Sequence, residues 1–254
     1  IAGIVNDAEE VIHFNKFKSE MVQREVDHLN WANAVNALIT DDDVHELTVT
    51  ADPRECAFGQ WFYSDARRAA EQMIPQLTPI FAAIEEPHNH LHQSAEEIAE
   101  KHTVVDASLG SFLRDTKTAH LEWAHRVKDL LLDPDATTDA IELDPHACTL
   151  GQWLYSAEVA QMRDRNPEFD AAVAGVYAPH TLLHESAATV IERRAAGDMR
   201  SAQDHYFEIT KPTAYVVLDN VDTVLHWHDS RVASFDEARG VFADTTKPAL
   251  DEVQ

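Results

Sequence analysis

This chain is short of cysteine, glycine and positive charge, and each shortage narrows the reading. Two cysteines in 254 residues are too few for a disulfide-stapled scaffold. Seven glycines are few for a sheet protein full of tight turns. Only 20 lysines and arginines stand against 45 acids, and the formal net charge of −25 argues against nucleic acid and anionic membrane surfaces as partners. No run of eighteen apolar residues occurs, so no segment reads as a membrane span, and no signal peptide is visible. The chain starts at Ile1 without a methionine and stops mid-pattern at Gln254, so it reads as a piece of a longer protein. What is plentiful is alanine, leucine, glutamate and valine, a composition that leans helical.

The residues that are scarce are not scattered. His28-Leu29-Asn30-Trp31 recurs as His120-Leu121-Glu122-Trp123, and Cys56-Ala57-Phe58-Gly59-Gln60-Trp61 recurs as Cys148-Thr149-Leu150-Gly151-Gln152-Trp153. Pro87-His88 with Leu91-His92 recurs as Pro179-His180 with Leu183-His184. All are offset by 92 positions. A duplication of this kind means two structural units in tandem. The expected fold is all-α: two four-helix-bundle units joined by long helices, with a further C-terminal helical segment. The boundaries expected are 1–105 for the first unit, 106–197 for the second and 198–254 for the closing segment.

Apolar residues from Val5 to Ile39 recur at helical spacing and predict one long helix carrying His28, ended by Asp41-Asp42-Asp43. Leu47–Pro53 is β-branched and breaker-rich, so it reads as a loop. A short helix starting near Asp52 or Pro53 carries Cys56, with further helices over Glu71–Ile84 and from Pro87 onward. His88 and His92, four apart, share a helix face, and His90 does not. The same order repeats through His120, Cys148, His180 and His184. Ser94–Leu132 reads as nearly continuous helix with Gly110 as its weak point. Met199–His228 and Asp236–Val253 complete the helical pattern. Thr210-Lys211-Pro212-Thr213-Ala214 faintly echoes Thr116–His120, without a histidine in register.

Three imidazoles and one thiolate make a complete four-coordinate shell for zinc. The expected ligands are His28, Cys56, His88 and His92 in one repeat, and His120, Cys148, His180 and His184 in the other: two zinc ions, one per repeat. A disulfide between the cysteines is the competing use, but each already has three histidines of its own. One soft thiolate with three imidazoles suits zinc better than copper, iron or nickel. Trp31, Trp61, Trp123 and Trp153 read as packing around the site. Asp52 and Asp144, each before a proline, read as helix N-caps, with a supporting acceptor for a ligand imidazole as the sharper alternative. His146 and His226-Trp227-His228 are the reserve ligands, and the remaining histidines read as surface groups.

His-x-x-Trp, then Cys-x-x-Gly-x-Trp, then His-x-x-x-His resembles the chemoreceptor zinc-binding domain (CZB). The resemblance covers about residues 20–195, with no ligand position missing. It implies a four-helix bundle with a three-histidine, one-cysteine zinc site, found in methyl-accepting chemotaxis proteins and some diguanylate cyclases. Arg24–Trp31 resembles a segment following a first membrane span, and Thr246–Leu250 a membrane-proximal return helix. Those flanks imply an extracytoplasmic, periplasmic sensor between two membrane spans, coupled to a cytoplasmic signalling domain. A cytoplasmic location is the alternative, since many members are cytosolic. The resemblance further implies a homodimer, and a zinc ion or a small oxidant as signal in chemotaxis signal transduction.

Three functions are consistent with these residues. A sensor would convert zinc loading, or oxidation of the metal-bound thiolate, into helix movement. A structural module would use zinc as a staple for dimerisation. A zinc hydrolase would need an open ligand position and a base, yet four ligands close the shell and neither histidine pair is a His-Glu-x-x-His. The expectation is a sensory domain and not an enzyme.

Overall fold

A computed structural model describes residues 2–41, 43–103 and 106–254, with side chains from Val11 onward. The described residues form helices joined by turns and contain no strand. The first repeat opens with α1 (Ala2–Thr40), then the short α2 (Ala57–Phe62) and α3 (Asp65–Met73), then α4 (Leu77–Lys101). The second repeats the order as α5 (Leu109–Asp129), α6 (Thr149–Leu154), α7 (Ala157–Arg165) and α8 (Pro167–Ala195). After Gly197, which takes φ of +77° where only glycine is comfortable, come α9 (Met199–His205), α10 (Lys211–Val241) and α11 (Lys247–Val253). Short π-helical stretches, Tyr206–Thr210 and Phe242–Thr246, join these last three.

Several boundaries differ from the sequence pattern. The chain is not helical from Ser94 to Leu132: α4 stops at Lys101 and α5 starts at Leu109. Glu71–Ile84 is likewise broken, because Pro75 lies between α3 and α4. Pro87 and Pro179, by contrast, sit inside α4 and α8. The first helix ends at Thr40; Asp42, in its predicted stop signal, lies outside the described residues, as does the expected unit boundary at residue 105.

The chain divides into two compact units, but residues 198–254 are not a segment apart. Residues up to 232 belong with the second unit, and 233–254 return to the first. The reason lies in a repeat that the 92-residue offset hides. Tyr206-Phe207-Glu208-Ile209-Thr210-Lys211-Pro212 recurs 36 positions later as Phe242-Ala243-Asp244-Thr245-Thr246-Lys247-Pro248. The proline has no N–H and crowds the carbonyl four residues back, so the helix widens by one residue rather than breaking. Each copy turns a buried aromatic, Tyr206 or Phe242, and a fully buried threonine, Thr210 or Thr246, inward. In the first unit this stretch and α11 pack on α4; in the second, α9 and the matching stretch pack on α8. Each helix bearing a histidine pair therefore receives a closing helix.

The core of the second unit is one continuous cluster from Leu109 to Leu225. The first unit has two smaller clusters, one around Trp31, Val35, Leu91 and Ile98, the other around Phe58, Phe62 and Phe81. In the first unit, buried Ser94 donates to the Leu91 carbonyl (2.7 Å), and its hydroxyl shares a 2.8 Å hydrogen bond with that of Thr246. Thr246→Val should therefore remove a buried hydrogen bond from the core. The expected cost is about 1 kcal/mol, read as a lower midpoint in urea unfolding at unchanged slope.

Candidate metal centre

Each cysteine is the N-cap of a short helix, and this sets where its sulfur points. Cys56 is extended (φ −67°, ψ 156°) and its sulfur accepts from the Gly59 N–H at 3.1 Å. Cys148 repeats this at φ −67°, ψ 157° and 3.2 Å. The helices start at Ala57 and Thr149, later than the Asp-Pro pairs suggested. Asp52 and Asp144 instead bond the N–H groups of Arg54 and His146, both at 2.8 Å, and hold the turn that leads into the cap. Glycine at 59 and 151 is required by close approach, since a Cβ there would stand 1.7 Å from the carbonyl oxygen of Pro53 or Pro145.

The structure brings together all four expected donors of each repeat. His28, Cys56, His88 and His92 offer ligand atoms within 4.8 Å of one another, and so do His120, Cys148, His180 and His184. Sulfur lies 3.9 Å from His28 Nε2 and 3.3 Å from His88 Nε2 in the first group. In the second the distances are 3.9 Å to His120 Nε2 and 3.2 Å to His180 Nε2. Donors around one tetrahedral zinc stand about 3.5 Å apart, given bonds of roughly 2.0–2.3 Å. All six histidines are buried and both thiols are free and half-buried.

Backbone carbonyls fix the tautomers. His28 Nδ1 donates to the Arg24 carbonyl (2.8 Å) and His120 Nδ1 to that of Thr116 (2.7 Å), each one turn back on the same helix. His92 and His184 donate Nδ1–H to the carbonyls of Thr50 (3.2 Å) and Glu142 (2.9 Å). Each of these four rings then presents an Nε2 lone pair toward the sulfur, the outer arrangement that metal-bound histidines require. The remaining polar atoms are left without protein partners: Nε2 of His92 and His184, and Nδ1 of His88 and His180. Buried orphans of this kind are costly; a cation at the centre of each group would satisfy Nε2 of His92 and His184, whereas His88 and His180 already turn Nε2 to the sulfur and keep Nδ1 unpartnered.

The electrostatics point the same way. Burial and the neighbouring imidazoles push His88 and His180 down to about 3, and burial takes His92 to about 4. The rings are therefore neutral, as ligands must be. Burial also raises the Cys56 and Cys148 thiols, while N–H groups of the helix they cap pull them back down.

The first-motif tryptophans do more than pack. Trp31 Nε1 donates to the Thr50 carbonyl (2.8 Å), the same oxygen that holds His92. Trp123 Nε1 does so to Glu142 (2.9 Å), which holds His184. Sequence inspection missed this pair of acceptors because the groups are carbonyls; Thr50 and Glu142 share no side-chain chemistry. The reserve ligands are not used. His146 is exposed and stacks on Tyr155 at 3.8 Å, His226 is exposed, and buried His228 bonds Asp229 and the Asp106 carbonyl.

A family model described as the chemoreceptor zinc-binding domain matches residues 28–99 and again 120–191. Together these segments cover more than half of the chain. The chain belongs to the chemoreceptor zinc-binding domain family. It carries two such domains in tandem, each with a three-histidine, one-cysteine group that fits zinc. Neither a curated protein nor a solved structure matches the chain.

The family assignment also corrects the expected periplasmic placement between membrane spans. Arg24–Trp31 is not a membrane-proximal flank: it lies within α1 and supplies His28 and Trp31 to the matched domain's own site. The Thr246–Leu250 region packs on α4 as part of the first unit, and among the described residues no helix is long and apolar enough to cross a membrane.

Two outcomes are expected. Trp31→Phe or Trp123→Phe keeps the ring but frees the turn carbonyl, and should weaken zinc binding at that site by about tenfold or more in a competition titration with a chelator. In the metal-free chain burial holds the folded-state pKa of His88 and His180 at about 3 and that of His92 at about 4, and lowers His28, His120 and His184 below the ordinary 6.5 as well. Between those values the unfolded chain binds more protons than the folded one, so stability rises with pH across that window. Urea midpoints of the metal-free protein should be flat between about pH 6.5 and 8 and fall steadily as pH drops below that range.

Proposed function

We propose that this chain is a sensory input module that binds one zinc ion in each domain and converts a change at the metal-bound thiolate into movement of helices. The observation that carries this reading is the distribution of the ligands. In each domain the sulfur comes from the N-cap of a short helix, one imidazole from the first long helix and two from the fourth. The donors thus hold three separate helices to one point, and loss of one bond releases the element that carries it.

Bound zinc would supply a charge that keeps the thiol deprotonated at neutral pH. Two signals then act on the same residue. A fall in zinc leaves the buried imidazoles without a cation. A hypochlorous acid molecule attacked by the thiolate leaves a sulfenic acid and chloride, and the oxidised sulfur is a poorer donor. Access favours such chemistry in the second domain, where a pocket of about 240 Å³ is lined by His120, Cys148 and His184. With four converging donors there is no ligand position reserved for a substrate water, which supports a non-catalytic role. Homodimerisation and attachment to a separate signalling domain fit the same proposal.

Replacing both Cys56 and Cys148 with Ala should lower bound zinc from two ions per chain and abolish oxidant-triggered zinc release, measured by metal analysis and a colorimetric zinc indicator. Unchanged metal content in the double variant would rule out this ligand set. Zinc release from the native chain with no change in spin-label distances between α1 and α4, or between α5 and α8, would reduce the role to that of a structural staple.

A further inference from the structure

The two domains are built alike except along one face, and that face is covered in only one of them. In the second domain Leu109, Leu113 and Phe169 are buried beneath the part of α10 that follows the Lys211-Pro212 step. That part turns Val217, Val221, Val224 and Leu225 into the core, and Trp227 packs against Phe169 at 4.9 Å. Lys117 and Arg114 fix its outer edge through Asp222 and Asp229.

The matching residues of the first domain, 92 positions earlier, are Phe17, Met21 and Leu77. These are only half-buried, and with Ile84 and Phe58 they line an open groove of about 250 Å³ beside His28. The lining includes Val253, the last residue of α11, and Gln254. By the 36-residue repeat, Val253 stands where Val217 stands in α10. The groove is thus continuous with the seat that α11 already occupies on α4. Its lining also holds Arg24, whose buried Nε has no partner.

We infer that this groove is a docking site for an amphipathic helix running on in the register of α11. Its occupant is apolar at the positions that match Val221, Val224 and Leu225. It differs from α10 in charge: Glu25 stands where Lys117 does, so the position matching Asp222 takes a basic residue. Because the groove touches His28, a helix seated there lies against a metal ligand and is placed to feel its loss. The inference goes beyond the sensing proposal, since groove filling does not depend on which signal the metal site reads.

The test extends the zinc-loaded chain after Gln254 with a copy of its own residues 219–231, carrying the change D222K. A control extension has the copies of Val221, Val224 and Leu225 replaced by serine. Hydrogen exchange at residues 17–28 and 77–84 should slow by about tenfold or more with the apolar extension and not with the control. The variant Met21→Glu in the extended chain should reverse the protection while leaving zinc content at two per chain. Equal exchange in the apolar extension and the control would overturn the inference. So would concentration-dependent dimerisation of the unextended chain that protects the same residues, since a second copy would then be the occupant.

Discussion

One oxygen in each domain, the carbonyl of Thr50 or of Glu142, organises the rest. It receives a tryptophan N–H from the first helix and a histidine N–H from the fourth. A carbonyl has two lone pairs, so both bonds can be made at once. This single group ties the long connecting turn to two helices, sets the tautomer of His92 or His184, and aims Nε2 inward. Without it a neutral imidazole in a buried site is free to present either nitrogen, and the converging lone pairs that a cation needs are lost. The motif His-x-x-Trp follows from it, since a ligand and the anchor of its neighbour's acceptor must lie one helical turn apart on the same face.

The cysteine turn solves a second problem with equal economy. A thiolate must be delivered to a buried point without a long helix of its own. An N-cap does this: the sulfur accepts the N–H of Gly59 or Gly151, and the helix N-terminus favours its negative form. The price is room, because that glycine lies against the Pro53 or Pro145 carbonyl. Cys-x-x-Gly is therefore a steric motif as much as a chemical one.

The ligand set was legible because metal chemistry needs particular side chains, and a duplication repeats them. His28, Cys56, His88 and His92 could be matched to His120, Cys148, His180 and His184 by residue type alone. The long helices were legible from their apolar spacing. What escaped was whatever depends on backbone. The carbonyls of Thr50 and Glu142 leave no trace in composition, and the break between Lys101 and Leu109 contains no proline or glycine to announce it. The closing helices escaped for a different reason. Their repeat runs at 36 residues instead of 92 and carries no ligand, so the echo of Thr210-Lys211-Pro212 was sought against Thr116-Lys117 when its true partner is Thr246-Lys247-Pro248.

That second repeat explains why the domains can differ while their sites stay alike. The metal groups depend on α1, α2 and α4, or on α5, α6 and α8, and these elements share the 92-residue register. The cover over the neighbouring face depends on α10 and α11, which obey another register and are free to diverge. Leu109, Leu113 and Phe169 are buried in one cluster with the part of α10 that runs on past Pro212. Their counterparts Phe17, Met21 and Leu77 remain large and apolar although half-buried, and a surface under no demand to bind has no physical reason to keep three such residues in one strip beside a ligand histidine. A protein that detects a change at the metal must transmit it through something that touches the ligands. In the second domain Leu109 and Leu113, on the ligand-bearing helix α5, share one core with α10, and in the first the open strip beside His28 marks where the equivalent contact would be made.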